Sequence, residues 1–241
     1  MTTPDAFRIY DAIDATWPPD RMETVDGWKI RHGAGGGKRV SAATLHDPNA
    51  ELANMDATHV AARQTPLVMV RDGETNLDTA LETRGYQIID PVTLYAAPTA
   101  ELAELPPLVT TFVTELPVLQ VLRDLWQEGG IGPARVAIME RAKGPKCALL
   151  GRTDDSLAGA AFVAIDGNLA MLHALEVRET FRRKNVGRYI MGVAASWAQD
   201  HGADWLAVAV TQANVPANKL YTSLGMSIVG HYHYRIKPEN G

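Results

Sequence analysis

Three apolar, strand-like segments follow one another with only short turns between them, and this succession restricts the chain to folds that contain an antiparallel meander. The segments span residues 146–152, 157–165 and 169–177. They are separated by the turn formers Asp154-Asp155-Ser156 and Asp166-Gly167-Asn168. Because short turns of this kind join antiparallel neighbours, we predict a three-stranded meander.

Helical apolar spacing lies on both sides of this meander. Residues 117–127 and 133–141 precede it as two predicted helices, with Gly129-Gly130 as the stop between them. After the meander, the pattern predicts helix 189–201, strand 205–210, helix 216–224 and strand 226–236. Helices and strands mixed in this order indicate an α/β protein.

The first part of the chain has a pattern of its own. Segments 27–31 and 39–44 favour strands and flank the glycine cluster 33–37, which predicts a hairpin. Strand 66–71, helix 75–84 with a stop at Gly85, and strand 86–89 follow. Residues 80–89 also resemble residues 220–229 in helix end, glycine and strand start. This similarity leaves two interpretations open, a duplicated lobe or the common look of helix-to-strand corners.

Prolines mark the boundary between the two parts. Pro98, Pro106 and Pro107 remove backbone donors and restrict the propagation of a helix or strand. We therefore predict an N-terminal lobe over residues 1–97, a linker over 98–108 and a C-terminal domain over 109–241.

Charge and cysteine content narrow the possible functions. The chain has 23 Lys+Arg against 28 Asp+Glu, so no overall positive field favours nucleic acid. Cys147 is the single cysteine, which excludes intrachain disulfides and cysteine zinc clusters. His231 and His233 share a strand face without a third ligand, so we interpret them as polar strand residues and expect no metal. Without a signal-like start or a membrane-spanning run, we expect a cytoplasmic protein with no membrane partner.

The junction between the third meander strand and the next helix is rich in cations. It reads Arg182-Arg183-Lys184-Asn185-Val186-Gly187-Arg188. A helix that begins directly after a loop presents unpaired N–H groups and the positive end of its dipole. Asn185 tolerates a left-handed backbone, and Gly187 permits close approach of a ligand. The junction therefore predicts a pyrophosphate site, with a solvated basic turn as the alternative.

A second stretch, Asn214-Val215-Pro216-Ala217-Asn218-Lys219-Leu220-Tyr221 followed by Gly225, completes the pattern. Together the two stretches resemble the GNAT superfamily of N-acetyltransferases. That family's loop, Arg/Gln-x-x-Gly-x-Gly/Ala, matches Arg182, Asn185 and Gly187, with Asn185 in place of the first glycine. Its later helix, Asn-x-x-Ala-x-x-x-Tyr-x-x-x-Gly-Phe, matches Asn214, Ala217, Tyr221 and Gly225. The resemblance covers residues 109–241. It implies a GNAT-like mixed, mostly antiparallel sheet flanked by helices, and the first part of the chain resembles a degenerate tandem lobe.

The resemblance implies acetyl-CoA as acyl donor, without a metal. It implies that backbone amides from Arg183 through Arg188 hold the pyrophosphate, that backbone groups around Leu175 to Val177 pair with the pantetheine arm, and that Asn214 steadies the arm. The implied cofactor-binding residues are Leu175, Val177, Arg182, Arg183, Lys184, Asn185, Val186, Gly187, Arg188, Asn214, Ala217, Asn218 and Tyr221.

Acetyl transfer also needs a general acid and a general base. The resemblance assigns the acid to Tyr221, which would protonate the departing thiolate. Two residues of the third meander strand are candidates on the amine side, namely His173 and Glu176. Because side chains alternate along a strand, residues three apart face opposite ways unless a bulge intervenes. The choice stays open, with Glu176 as amine ligand or base and His173 as base.

These inferences predict an acetyl-CoA-dependent N-acetyltransferase that transfers the acetyl group directly to a primary amine. The acceptor would be a small molecule or a peptide, and the protein a monomer or a homodimer. The degenerate lobe lacks the basic loop and the tyrosine, so no acetyl-CoA site is expected there. The alternative function is a non-catalytic acyl-CoA-binding sensor or regulatory subunit.

Overall fold

The structure is a computed structural model that describes residues 2–103, 111–153 and 155–238. Its helices are α1 (Ala6–Thr16), α2 (Leu52–Ala61), α3 (Thr75–Thr83), α4 (Thr99–Ala103), α5 (Gln120–Glu128), α6 (Pro133–Arg141), α7 (Val186–Asp200) and α8 (Val215–Ser223). Its strands are β1 (Arg21–Val25), β2 (Trp28–His32), β3 (Thr44–Leu45), β4 (Leu67–Arg71), β5 (Gln87–Pro98), β6 (Thr111–Thr114), β7 (Lys146–Thr153), β8 (Ser156–Asp166), β9 (Leu169–Val177), β10 (Trp205–Thr211) and β11 (Ser227–Ile236). Within these ranges, every helix is too short or too polar to cross a bilayer.

The chain forms two compact units, each assembled from separate stretches of sequence. Unit 1 comprises Met1–Pro18, Leu94–Val210 and Asn214–Val229, and unit 2 comprises Pro19–Thr93, Thr211–Ala213 and Gly230–Gly241. The N-terminal helix α1 thus belongs to unit 1, and the end of β11 belongs to unit 2. The predicted division into 1–97, 98–108 and 109–241 does not coincide with these units. The division into these three segments stays a prediction.

The predicted linker begins with regular structure instead of an irregular loop. Pro98 ends β5, and the next five residues form α4. The hydroxyl of Thr99 donates to the carbonyl of Ala203 at 2.8 Å, which fixes the start of this helix within unit 1. A proline at the end of a strand breaks few ladder hydrogen bonds, so the first proline did not mark a boundary. Residues 104–108 of the predicted linker lie outside the described residues.

Unit 1 is built around one sheet whose strands lie in the order β5-β10-β9-β8-β7-β6. The predicted meander is confirmed, because β7 pairs antiparallel with β8 and β8 pairs antiparallel with β9. Strand β9 pairs parallel with β10, which makes the sheet mixed. Helices pack on it, α7 against β6 to β9 and α1 and α5 against β8 and β9. The predicted α/β fold, a mixed and mostly antiparallel sheet flanked by helices, is therefore confirmed.

Glycines in two adjacent strands allow α7 to approach the sheet closely. A Cβ atom built on Gly159 of β8 would lie 3.1 Å from side-chain atoms of Ile190 and Val186 and 2.9 Å from the carbonyl oxygen of Glu176. One built on Gly151 of β7 would lie 3.0 Å from Ile190. Ile190 is fully buried, and Val186 is nearly so. The beginning of α7 thus packs directly on the sheet at Gly151 and Gly159, where there is no space for a side chain.

Unit 2 has a small antiparallel sheet in the order β1-β2-β3. The predicted hairpin paired segment 27–31 with segment 39–44, and this pairing was wrong for most of the second segment. The main partner of β2 is β1, joined to it by Asp26-Gly27, whose φ angles of 47° and 81° suit a tight hairpin turn. Of the predicted second strand only Thr44 pairs with β2, while Lys38–Val40 forms a 3-10 turn. The overlooked signal was the Asp-Gly pair in front of β2.

The two similar helix-to-strand corners have the same hydrogen bonds. After α3, Gly85 has φ 82° and the N–H of Tyr86 donates to the carbonyl of Leu81. After α8, Gly225 has φ 77° and the N–H of Met226 donates to the carbonyl of Tyr221. Both corners are therefore helix ends closed by a left-handed glycine. Both interpretations of the sequence similarity, a duplicated lobe and the common form of a helix-to-strand corner, account for this likeness and stay open.

We expect Gly159→Ala to lower the free energy of unfolding by about 1–3 kcal/mol, because the new methyl group would overpack the contact between β8 and α7. Denaturant unfolding would measure the change. Gly132→Ala is the matched control, since Gly132 has φ −80° and a Cβ there would lie 3.4 Å from its nearest neighbour, an ordinary contact. Equal stability of the two variants would contradict the close approach of α7.

Candidate functional site

Strand β9 contains a bulge, and the bulge decides which side chains share a face. Ala160 of β8 pairs with Glu176, and Phe162 pairs with His173. Two residues of β9, Ala174 and Leu175, therefore stand opposite the single residue between Ala160 and Phe162. Ala174 has φ 52°, a left-handed conformation that a non-glycine residue adopts only when its surroundings impose it.

The bulge brings His173 and Glu176 to one face of the sheet. Their partners Ala160 and Phe162 are two apart on β8 and point the same way, and paired residues of adjacent strands share a face. A regular strand would have separated the two side chains. The exception that the sequence left open, an intervening bulge, is the arrangement found.

His173 is built into the core of unit 1. Its side chain lies between the rings of Trp17 and Phe162, with centroid distances of 5.0 and 6.3 Å. Its Nε2 is 2.8 Å from the hydroxyl of Thr16, which in turn donates to the carbonyl of Ala12. Only 3% of the residue is exposed. These contacts suit a structural histidine better than a base that must meet a substrate.

Glu176 is half-buried and keeps its carboxylate near the basic loop. Burial raises the pKa of this carboxyl above its ordinary value, and the Arg182 guanidinium, 3.6 Å from Oε1, opposes the rise. The Glu176 side chain is 21% exposed. A carboxylate that is desolvated and still reachable is a stronger base than one in water. Of the two candidates on β9, Glu176 is the more accessible one.

Strands β9 and β10 separate beyond the middle of the sheet. Their parallel register covers three pairs and ends at Ala207 and Met171, although β9 continues to Val177. On its other side, β9 remains paired with β8 to its end. The six residues 172–177 extend about 20 Å past the register. Between the diverging strands, an extended ligand can lie alongside β9 and pair with its backbone.

The basic loop leads directly into α7. Arg183 and Asn185 have φ angles of 63° and 61°, so the left-handed conformation expected at Asn185 is present at the N-cap. Within the described chain, Tyr189 is the first residue of α7 whose backbone N–H has a backbone acceptor. It donates to the carbonyl of Asn185. The N–H groups of Val186, Gly187 and Arg188 precede it. Three donors thus converge at the positive end of a 15-residue helix.

The loop's cations differ in what they contact. Arg182 donates from Nε to the carbonyl of Val177 at 3.1 Å, so it ties the loop to the end of β9. Lys184 places its ammonium 5.3 Å from the centre of the Phe181 ring. Arg183 is exposed, and Arg188 is half-buried. The positive charge around the start of α7 favours an anionic ligand there.

Gly187 has a packing role that the sequence interpretation missed. A Cβ atom at this position would lie 3.1 Å from Leu220, 3.9 Å from Val177 and 4.0 Å from Leu175. The bare side of the glycine therefore faces α8 and the end of β9. Its predicted role in close ligand approach stays a prediction.

Helix α8 holds the remaining predicted residues. Asn214 is its N-cap, and the Asn214 side chain accepts from the N–H of Ala217 at 3.2 Å. Asn218 donates from Nδ2 to the carbonyl of Asn214 and accepts from the Tyr95 hydroxyl at 3.1 Å. The side-chain oxygen of Asn214 thus has a structural role at the helix start, whatever its amide does for a ligand.

Tyr221 lies in the core of unit 1. It is 5% exposed, and its ring centroid is 5.7 Å from that of Tyr95. Tyr95 comes from β5, far away in the sequence, and no local motif pointed to it. Two further residues were missed, Trp126 and Gly129, which contact the bulge and Glu176 from α5. No sequence signal relates them to the site, because the contact depends on how α5 packs on the sheet.

Two other features lie in unit 2, apart from this arrangement. A cavity of about 850 Å³ is lined by residues of β2, α2 and α3, among them Trp28, Leu52 and Leu77, and by no predicted site residue. His233 Nε2 donates to Asp78 Oδ1 at 2.8 Å, and the backbone N–H of His231 donates to Asp72. In the described part of the chain, no three potential ligands gather as a metal site.

Comparisons with known proteins agree with this geometry. Residues 118–226 match the acetyltransferase (GNAT) family. The uncharacterized N-acetyltransferase YobR of Bacillus subtilis (strain 168) is 31% identical over 83 residues, which are 34% of this chain and 34% of that protein. The chain thus matches about a third of the length of this curated relative. The family match is therefore to residues 118–226, the part of the chain that contains the basic loop and α8.

Solved structures share the fold over most of the chain. A GCN5-related N-acetyltransferase from Kribbella flavida has a TM-score of 0.75 at 15% identity, with 99% of this chain and 98% of that chain covered. A tandem GNAT protein from the clavulanic acid biosynthesis pathway has a TM-score of 0.63 at 14% identity, with coverages of 97% and 89%. At such identities the likeness concerns the fold alone.

His173 and Glu176 should respond differently to substitution. We expect His173→Ala to lower the free energy of unfolding by about 2–4 kcal/mol, because it removes a buried ring and the partner of Thr16. Glu176→Gln, which keeps the shape of a half-buried side chain, should change it much less. Denaturant unfolding would compare them, and a larger loss in Glu176→Gln would contradict a structural role for His173.

Proposed function

We propose that this chain is an acetyl-CoA-dependent N-acetyltransferase that transfers the acetyl group directly to a primary amine. The observation that carries the proposal is the combination of diverging strands with a basic helix start in one GNAT-family region. The family match over residues 118–226 supports acetyl transfer in general. The donor, the amine acceptor and the residue roles below are the proposal.

The residues present fit acetyl-CoA. The N–H groups of Val186, Gly187 and Arg188, which have no backbone acceptor among the described residues, suit a pyrophosphate, and the cations of the loop balance its charge. The free edge of β9 around Leu175 and Val177 suits the amides of a pantetheine arm. The remaining proposed binding residues lie in the loop, namely Arg182, Arg183, Lys184 and Asn185, or at the beginning of α8, namely Asn214, Ala217 and Asn218.

When bound, acetyl-CoA supplies an acetyl thioester whose carbonyl carbon the amine attacks. Glu176 takes the proton that the amine must lose, directly or through a water molecule. Tyr221 gives a proton to the departing sulfur, because a phenol stays protonated at neutral pH and this one sits on the helix that follows the diverging strands. His173 holds the strand in place through its packing against Trp17 and Phe162.

Direct transfer is favoured over a covalent acyl-enzyme. The only thiol, that of Cys147, is 2% exposed, and burial raises its pKa to about 12. The thiolate, which is the nucleophilic form, is therefore scarce at neutral pH. Both substrates would have to bind together.

The proposal includes three further points. The protein is cytoplasmic, it is a monomer or a homodimer, and its N-terminal lobe has no acetyl-CoA site of its own.

Tyr221→Phe should lower kcat by about 100-fold or more, because it removes the proposed proton donor and keeps the buried ring. A thiol-release assay with a panel of primary amines measures kcat, and calorimetry should give an unchanged affinity for acetyl-CoA. Tyr95→Phe is the matched control, since the Tyr95 hydroxyl is held by Asn218. If the wild type binds acetyl-CoA and releases no thiol with any amine, the sensor function is favoured instead.

The activity should fall as the pH decreases through the raised pKa of Glu176, because the protonated acid cannot act as a base. Removal of the nearby cation in Arg182→Gln should raise that pKa further and move the acidic limb of the kcat/KM profile to higher pH. Arg183→Gln, which changes an exposed cation one residue away, should leave the limb in place. A limb that does not move in Arg182→Gln would contradict the assignment.

A further inference from the structure

The last turn of α5 touches the bulge of β9. The indole Nε1 of Trp126 donates to the carbonyl oxygen of Ala174 at 2.8 Å. Trp126 is fully buried, and the hydrogen bond is part-buried. Ala174 is the residue with the left-handed backbone, and its carbonyl is turned away from the ladder by the bulge. The hydrogen bond from α5 thus satisfies the carbonyl that the bulge displaces.

The same turn of α5 lies directly against Glu176. A Cβ atom built on Gly129 would be 2.7 Å from Cγ and Cδ of Glu176 and 2.9 Å from its Oε2. Gly129 has φ −82° and ψ 8°, which any residue adopts. The requirement for glycine here is therefore steric, and the atoms that impose it belong to the carboxyl group of Glu176.

An ion pair between Glu128 and Arg178 is the third contact between the end of α5 and the bulge region. Arg178, directly after β9, donates from Nε and Nη2 to the two carboxylate oxygens of Glu128 at 2.7 and 2.8 Å. Its Nη1 donates to the carbonyl of Leu157 at 3.0 Å. The end of α5 thus meets the bulge region at three points. Trp126 contacts Ala174, Glu128 pairs with Arg178, and Gly129 lies against Glu176.

We propose that Trp126 and Gly129 are positioning residues for Glu176, with Trp126 holding the bulge that turns the carboxylate to this face and Gly129 leaving the space it occupies. The inference rests on the proposed role of Glu176 as the amine-side base. Neither residue touches a reacting atom. The geometry assigns to α5 a function in catalysis, beyond packing on the sheet.

The charged groups around Glu176 determine how a displacement of its carboxylate would change its pKa. Arg182 faces it from the basic loop, His173 shares its face of β9, and Glu128 and Arg178 are paired with each other beside it. A methyl group at Gly129 must push the carboxylate away from the backbone of α5. The carboxylate would then be better hydrated, and its pKa would fall toward the ordinary value.

Two pairs of variants separate positioning from packing. Gly129→Ala is compared with Gly132→Ala, since both glycines have φ near −80° and only the first faces Glu176. Trp126→Phe is compared with Trp205→Phe, since both indoles are buried and the Nε1 of Trp205 has no hydrogen-bond partner within the described chain. The chemical change within each pair is the same, so a general loss of stability affects both members.

The first measurement is a carbon-13 NMR titration of the Glu176 carboxyl, assigned with Glu176→Gln. We expect Gly129→Ala and Trp126→Phe to lower the pKa of Glu176 by about half a unit or more, and Gly132→Ala and Trp205→Phe to leave it in place. The second is kcat in the thiol-release assay. We expect about a ten- to hundredfold decrease in the first two variants, with unchanged affinity for acetyl-CoA. The inference is overturned if each variant matches its control in both measurements.

The titration also distinguishes this inference from the proposed function. If Glu176→Gln retains the activity of the wild type, Glu176 is not the base and the proposed mechanism fails at that step. The titration still reports whether α5 sets the environment of the carboxyl. If Glu176→Gln is inactive and the four variants have one common pKa for Glu176, the mechanism stands and the positioning role is refuted.

Discussion

The single left-handed residue in β9 is the constraint on which the candidate site depends. With Ala174 at φ 52°, two residues of β9 oppose one of β8, and the alternation of side chains shifts by one position. The strand before the bulge buries His173 against aromatic rings, and the strand after it presents Glu176 at the same face. A non-glycine residue in this conformation costs free energy, which packing and hydrogen bonds such as that from Trp126 must offset.

The second organising feature is the divergence of β9 from β10. On the side of β9 that faces β10, the register ends at Met171, and the strand continues to Val177, close in sequence to the basic loop and the start of α7. Glycines at 151 and 159 bring α7 close to the sheet, and Gly187 brings it close to α8. Close packing by three glycines thus sets where the helix start, with its unpaired N–H groups, stands relative to the end of β9.

Electrostatics at the site balances two opposing effects on one carboxyl group. Burial raises the pKa of Glu176, and Arg182 lowers it. Arg182 also donates to the carbonyl of Val177, so the cation that lowers the pKa of Glu176 is bound to the same strand as that carboxyl group.

The sequence by itself determined the order of the elements from α5 to β11, the left-handed backbone at Asn185 and the motifs that match the GNAT family. These are local properties, since turn residues, helix stops and apolar periodicity act over a few positions. It missed α1, α2 and the β1 strand, and it placed a boundary at Pro98 where a strand ends. Only the tertiary structure showed that His173 is buried among aromatic rings while Glu176 lies near the basic loop, revealed Tyr95, Trp126 and Gly129 near the predicted residues, and assigned α1 to unit 1. The reason is physical: a bulge is stabilised by the neighbours that pack on it, and those neighbours come from distant parts of the chain whose approach no local pattern encodes.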